Sequence, residues 1–416
     1  MYAIISFRGV SMKKKKKESK WLKFRHRVVR NIIYCVIGPY IHLRYKIKIE
    51  RYREQQKRPY LILLNHQTPF DQFFVGMTFR GPVYYMATED IFSKGWISSV
   101  IRYLIEPIPI KKQTTDIRAI LNCLKVAREG GSIAIAPEGN RTYSGRTEYM
   151  NPSISALARK LGMPILLYRI EGGYGSEPRW SDVVRRGKMR VYCARTVMPE
   201  EYADMSDDEL FEVIRSTLYV DEACEDSEYK HAKLAEYLER AIYYCPYCGL
   251  SEFESHGDVI KCKKCSREIR YLPTKRLEGV GFDFPYRFAA EWYDAQKDFM
   301  NKLDVTSYGS SVIYSDRSRL SEVIPYEKKL PIIKDAELSL CGDRIVIRGD
   351  GKEFVFLFDE SSAVTVLGKN KANIYHGGKI YQLKSGKRFN ALKYVHIYNR
   401  YKNIKKGDEH AEFLGL

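Results

Sequence analysis

Between residues 59 and 241, short apolar runs alternate with segments of helical periodicity, and this alternation limits what the chain can fold into more than any other feature. Residues 60–64, 83–87, 108–110, 133–136, 165–170 and 189–194 read as strands. Residues 71–80, 114–129, 153–161 and a segment from Ser206 to 219 read as helices, the last opened by the Ser206-Asp-Asp-Glu209 capping box. Gly130-Gly131 and Gly162 supply stops, and Ile117, Ile120, Leu121 and Leu124 form the apolar face of the second helix. Strands alternating with helices predict a sheet covered by helices, an α/β domain over 59–241.

At 416 residues the chain has room for two to three domains, and the segments flanking 59–241 differ from it in character. Residues 242–273 hold two CxxC pairs. Residues 274–329 read as a helical linker, with Phe288, Trp292, Phe299 and Leu303 as the stripe of a helix over 286–303. Residues 330–416 carry six short strand patterns (336–341, 344–348, 353–358, 363–367, 372–376 and 379–384) split by Gly-rich turns. A final helix over 389–401, with Leu392, Val395 and Tyr398 as its stripe, follows them. This pattern of a small β barrel closed by a helix is similar to pleckstrin-homology or GRAM-type domains. Lys369, Lys371, Lys379, Lys384, Lys387 and Arg388 would serve such a domain in binding lipid headgroups or a protein partner.

The formal charge of +19 is concentrated near the N-terminus, where residues 12–58 hold 17 Lys/Arg against 3 acids. Trp21, Phe24, Val28, Ile32 and their neighbours repeat there at helical spacing. A basic amphipathic segment with Trp and Phe suits an anionic membrane surface, each Lys or Arg adding about 1 kcal/mol near anionic lipid. Residues 1–58 are therefore read as a membrane-binding N-terminus, with Met12 the expected start residue. No stretch reaches the roughly 20 apolar residues of a spanning helix, so the expected location is cytoplasmic and peripheral, on the inner face of the membrane. Nine cysteines, four of them in CxxC pairs, fit a reducing compartment better than a disulfide framework.

Two constellations at strand ends carry chemistry. The first is Asn65-His66-Gln-Thr-Pro-Phe-Asp71. A histidine suits a general base near neutral pH, and a carboxylate on its other ring nitrogen fixes the tautomer. No Ser or Cys stands beside them, so the substrate is read as bringing its own hydroxyl. The second is Pro137-Glu138-Gly139-Asn140-Arg141. Arg141 suits a phosphate because guanidinium offers parallel donors, and Gly139 lets backbone approach. Glu138 would either orient Arg141 or accept from a glycerol hydroxyl.

In this order and spacing the two motifs resemble the glycerolipid (lysophosphatidic acid-type) acyltransferase family. Two weaker blocks match as well: Ile108-Pro-Ile-Lys111-Lys112, where the family places a phosphate-holding cation, and the Pro164-led apolar strand. The chain departs from the pattern at Ala136 and Asn140, where Phe and Thr are usual, and has Lys111-Lys112 in place of Arg. The resemblance covers about residues 20–200. It implies one-step transfer of an acyl group from acyl-CoA or acyl-carrier protein to a hydroxyl of lysophosphatidic acid or a related lysolipid. His66 and Asp71 would be catalytic, and Glu138, Gly139, Arg141, Lys111 and Lys112 would bind the acceptor. The rival reading is a non-catalytic adaptor that binds lipid or nucleic acid on the same scaffold.

Cys245-Pro-Tyr-Cys248 and Cys262-Lys-Lys-Cys265, thirteen residues apart, have the spacing of a structural four-cysteine Zn2+ ribbon, with iron or a redox pair as alternatives. His256 between the pairs is read as a loop residue. Lys261, Lys263, Lys264 and Arg267 give the ribbon a basic tip, but a scaffold or protein-docking role is expected ahead of nucleic acid.

Overall fold

The computed structural model describes residues 20–53, 59–88, 91–92, 95–110, 117–225, 227–324 and 327–408. The basic run 13–17 and the cations Lys111 and Lys112 lie outside the described residues.

The N-terminal half is a seven-stranded sheet with helices on both faces. In chain order its elements are α1 (Phe24–Arg44), β1 (Lys46–Ile49), β2 (Leu61–Leu64), α2 (Asp71–Met77), β3 (Val83–Thr88), α3 (Trp96–Ile105), β4 (Ile108–Ile110), α4 (Ile117–Arg128) and β5 (Ser132–Ile135). There follow α5 (Ser153–Leu161), β6 (Ile165–Glu171), the single turn α6 (Gly173–Ser176), β7 (Lys188–Val197), α7 (Pro199–Ala203) and α8 (Asp207–Leu218). The sheet order is β1-β7-β6-β2-β5-β3-β4. The five strands β6, β2, β5, β3 and β4 are parallel, whereas β7 runs against β6 and carries β1 parallel to itself. All four β2 side chains are buried, as a central parallel strand requires. Leu61 and Leu63 join a core with Cys123, Val126, Ala158 and Ile214 from α4, α5 and α8. Ile62 and Leu64 join the opposite core with Ile41, Phe74 and Val75 from α1 and α2.

Three expectations change here. β1 is an edge strand of the sheet, so the α/β domain begins before residue 59 and takes in part of the segment read as a separate N-terminus. α3 has no counterpart in the sequence reading. On α4, Ile117 and Leu121 are 65% and 57% exposed, because the buried side is Ala119, Cys123 and Val126.

The ribbon comprises β8 (Tyr244–Cys245) and β9 (Gly249–Leu250), followed by a four-stranded antiparallel sheet of β10 (Phe253–His256), β11 (Val259–Cys262), β12 (Glu268–Tyr271) and β13 (Leu277–Gly279). Its last strand lies beyond the expected end at 273. The helix α9 (Ala289–Lys302) leads to the C-terminal unit: β14 (Val312–Val323), β15 (Lys329–Cys341), β16 (Arg344–Gly349), β17 (Lys352–Leu357), β18 (Ser361–Leu367), β19 (Lys371–His376), β20 (Lys379–Ser385) and α10 (Leu392–Lys405). The strands form one antiparallel sheet, β17-β16-β15-β14-β20-β19-β18, packed against α10. β14 pairs with β15 on one side and β20 on the other, so the β unit starts at about 312 and the linker is shorter than 274–329.

These units share a core. Tyr143, Tyr174 and Trp180 of the α/β domain, Ile260 and Tyr271 of the ribbon, Trp292 of α9 and Leu338 and Ile374 of the β unit belong to one buried cluster. Of the cations expected at free surfaces, Arg388 and Lys369 are engaged between the units, whereas those of the ribbon make exposed pairs within it. Arg388 pairs with Glu236 and Glu239, and Lys369 with Asp182. The ribbon's Lys261 and Lys263 pair with Glu268 and Glu252, and Arg267 covers the Tyr247 ring.

Candidate active site

The loop leaving β2 carries His66 to the C-terminal edge of the sheet, and α2 begins at Asp71. His66 Nδ1 lies 2.8 Å from Asp71 Oδ2. Asp71 is 1% exposed and also accepts from Gln67 N (2.7 Å), Thr68 N (3.0 Å) and Thr68 Oγ1 (2.6 Å). A carboxylate can only accept, so Nδ1 carries the proton and Nε2 keeps its lone pair. The His66 side chain is 26% exposed and open to a ligand.

The turn after β5 holds the histidine from the other side. Glu138 Oε1 accepts from His66 N (2.8 Å) and Oε2 from Glu148 N (3.0 Å), while Thr142 N donates to His66 O (3.1 Å). Glu138 therefore orients the histidine backbone; it makes no bond to Arg141, contrary to one of its two expected roles. Burial pushes its carboxyl up to about 8, against the pull of the two backbone donors. Gly139 has φ +68°, a conformation that disfavours other residues, and its N–H goes to Ala136 O. Its value is to the turn, since that donor is not free for a phosphate.

Arg141 follows this turn, next to the residue that binds His66. Among the described residues its guanidinium makes no hydrogen bond and no ion pair, and its Nη1 is buried. Burial, and then the neighbouring Arg179, push it below its ordinary value. Two residues that sequence reasoning missed complete the edge. Arg179 is 3% exposed, lies over the Tyr143 ring and donates to Arg141 O (2.8 Å). Glu177 accepts from Tyr45 Oη and lies 3.8 Å from Arg44, so the C-terminal end of α1 reaches the site. Phe70 packs against Tyr40 and Tyr45 at the same place. No motif signals Glu177 or Arg179, which arrive through the chain after β6.

Residues 45–170 match the acyltransferase family. The chain carries an acyltransferase-family domain. A solved structure, the 1-acyl-sn-glycerophosphate (LPA) acyltransferase PlsC from Thermotoga maritima, aligns at 17% identity over 46% of this chain and 91% of that one, with a TM-score of 0.35. No curated protein matches. The match to the acyltransferase family spans both motifs, His66 to Asp71 and Glu138 to Arg141.

Outside the acyltransferase domain, Cys245, Cys248, Cys262 and Cys265 place their sulfurs within 4.8 Å of one another, with Cys245 and Cys265 Sγ 3.9 Å apart. Four thiolates about 2.3 Å from a central ion are spaced similarly, so this set fits a tetrahedral metal. Four protein thiolates would fill a tetrahedral ion's coordination and leave no open position.

Proposed function

We propose that this acyltransferase moves a fatty acyl group from a thioester donor, acyl-CoA or acyl-carrier protein, to the hydroxyl of lysophosphatidic acid or a related lysolipid at a membrane surface. The observation that carries the reading is the 2.8 Å contact between His66 Nδ1 and buried Asp71, which leaves the Nε2 lone pair free on a partly exposed ring. His66 Nε2 takes the acceptor's hydroxyl proton as the oxygen attacks the thioester carbonyl. The C–S bond breaks as the tetrahedral intermediate collapses, and the imidazolium returns the proton to the leaving thiolate. Arg141, with its donors unmatched, binds the acceptor's phosphate. Lys111 and Lys112 are assigned the same role from their sequence position alone.

The membrane part of the reading rests on α1 and α3. Phe24, Val28, Ile32, Val36, Tyr40 and Leu43 form an exposed stripe along α1, with Phe24 and Leu43 more than 80% exposed. Beside it, Trp96, Val100 and Tyr103 are exposed on α3, and Arg25 joins the helices by lying over the Tyr103 ring. Contiguous apolar surface flanked by cations suits an anionic bilayer from the cytoplasmic side. Among the described residues no helix is long and apolar enough to cross a membrane. A structural zinc ion in the four-cysteine site is part of the same proposal.

The test is transfer of labelled acyl groups from acyl-CoA and acyl-carrier protein to a panel of lysolipids. His66→Ala is expected to lower kcat about 1,000-fold, within the ~10²–10⁴ that a positioned general base typically contributes. Activity retained by that variant would overturn the base assignment and favour the adaptor.

A further inference from the structure

The chain between β6 and β7 is held by Arg240, at the end of the α/β domain, and from outside that domain by the ribbon and the C-terminal β unit. Arg240 Nη1 donates to Trp180 O (2.7 Å), and its two Nη atoms reach the Asp182 oxygens at 2.8 and 3.1 Å. Lys369, in the turn between β18 and β19, donates to Ser181 O and to Asp182 Oδ1 (3.1 Å). The Trp180 ring meets the ribbon's Tyr271 ring edge-on at 5.8 Å. Against the upward pull of burial, Arg240 and then Lys369 hold the Asp182 carboxyl down to about 2. Every one of these contacts falls within three residues of Arg179.

Arg179 and Arg141 make an unusual pair. Arg179 is buried, Arg141 is half-buried with its Nη1 enclosed, one touches the other's carbonyl, and neither has a hydrogen-bonded carboxylate among the described residues. The acids whose charge reaches Arg141 are already engaged, Glu177 by Tyr45 and Arg44 and Asp71 by His66. Glu177 and Asp71 attract Arg141 without bonding to it; buried charges are normally paired, and two adjacent guanidinium groups with no bonded carboxylate are a cost that an anion lowers. The place lies at the edge of the sheet that presents His66, where the acceptor must bind for its hydroxyl to meet the base.

We propose that the acceptor's phosphate is gripped jointly by Arg141 and Arg179, and that the appended C-terminal β unit sets this grip through Lys369, a positioning residue that fixes the loop bearing Arg179. The inference rests on the reading of Arg141 as the phosphate ligand and extends it: headgroup recognition becomes a property of two domains. Arg179 binds the ligand; Lys369 acts through Ser181 and Asp182.

The test uses the full chain and sn-glycerol 3-phosphate as a soluble probe, with glycerol as the neutral control. The phosphate probe is expected to bind wild-type protein and raise its melting temperature, and glycerol is not. Arg179→Met is expected to weaken probe binding at least 10-fold, and Arg179→Lys less. Lys369→Met is expected to raise KM for a phosphate-bearing lysolipid about 10-fold, with donor KM unchanged and kcat altered far less. Lys369→Arg should restore most of the loss, which a packing defect would not allow. Probe binding by the His66→Ala protein should equal that of wild type, so failure of the base assignment and failure of this inference read out separately. No thermal response of wild type to the probe, unchanged affinity in Arg179→Met, or equal changes in donor and acceptor KM would each overturn it.

Discussion

At the scale of single residues, the site is a set of backbone anchors around one imidazole. Glu138 illustrates how much of it sequence can and cannot carry. Its place in Pro137-Glu138-Gly139 marks it as part of the site, but its bonds run to the backbone N–H groups of His66 and Glu148, which no local pattern encodes. Glu177 and Arg179 were illegible for the same reason: each acquires its neighbours from chain segments far away. Glu138 also yields a pH prediction. Its carboxyl is raised from 4.5 to about 8 in the fold, so the folded state binds the proton more tightly than the unfolded chain. That contribution to stability is complete below pH 4.5 and is lost as pH rises toward 8, at no more than about 1.4 kcal/mol per pH unit. Urea midpoints of wild type and Glu138→Gln across pH 5–8 should show a decline in the former that is reduced in the latter.

Elements were legible where apolar residues dominate. β2 is an unbroken apolar run, and β5 and β6 are largely apolar and buried, with Ser132 opening β5 and Arg169 and Glu171 near the end of β6. β1 escaped notice because Lys46-Ile-Lys-Ile49 has only two apolar side chains within a basic stretch. β14 escaped because it mixes Asp, Arg and Ser with its apolar residues across a bulged pairing. α1 was read as amphipathic, and its outward stripe supplies the element's own prediction. Ile32→Glu with Val36→Glu should weaken sedimentation with vesicles of anionic lipid at least 10-fold and leave the melting temperature within 2–3 °C, since exposed substitutions away from special features change stability by about 0.5 kcal/mol each. Unchanged vesicle binding would remove α1 from the membrane interface.

At the scale of the whole molecule, the sequence suggested units in series, whereas the structure joins them through one core. Composition marks where one unit gives way to the next, but the faces that meet are chosen by packing, which is why the burial of Trp180 against Tyr271 was not foreseen. The four-cysteine site belongs to that core, since Cys245 and Cys262 are buried within it. One zinc ion per chain is expected by elemental analysis. Removing it with a chelator, or by Cys262→Ser, should broaden the melt and shift the emission of Trp180 and Trp292 to longer wavelength. A ribbon that merely linked two independent bodies would leave both tryptophans unchanged.

The bond from Tyr45 Oη to Glu177 bears on how this protein can be dissected. Removing residues 1–58 would take away not just a lipid-facing helix but also an edge strand and both groups that satisfy an enclosed acid beside the guanidinium pair. Stranding a charge in this way typically costs about 3–5 kcal/mol. An N-terminally shortened enzyme would therefore be crippled in solution as well as on liposomes, and single exchanges on the outer side of the helix are the cleaner instrument for separating adhesion from turnover.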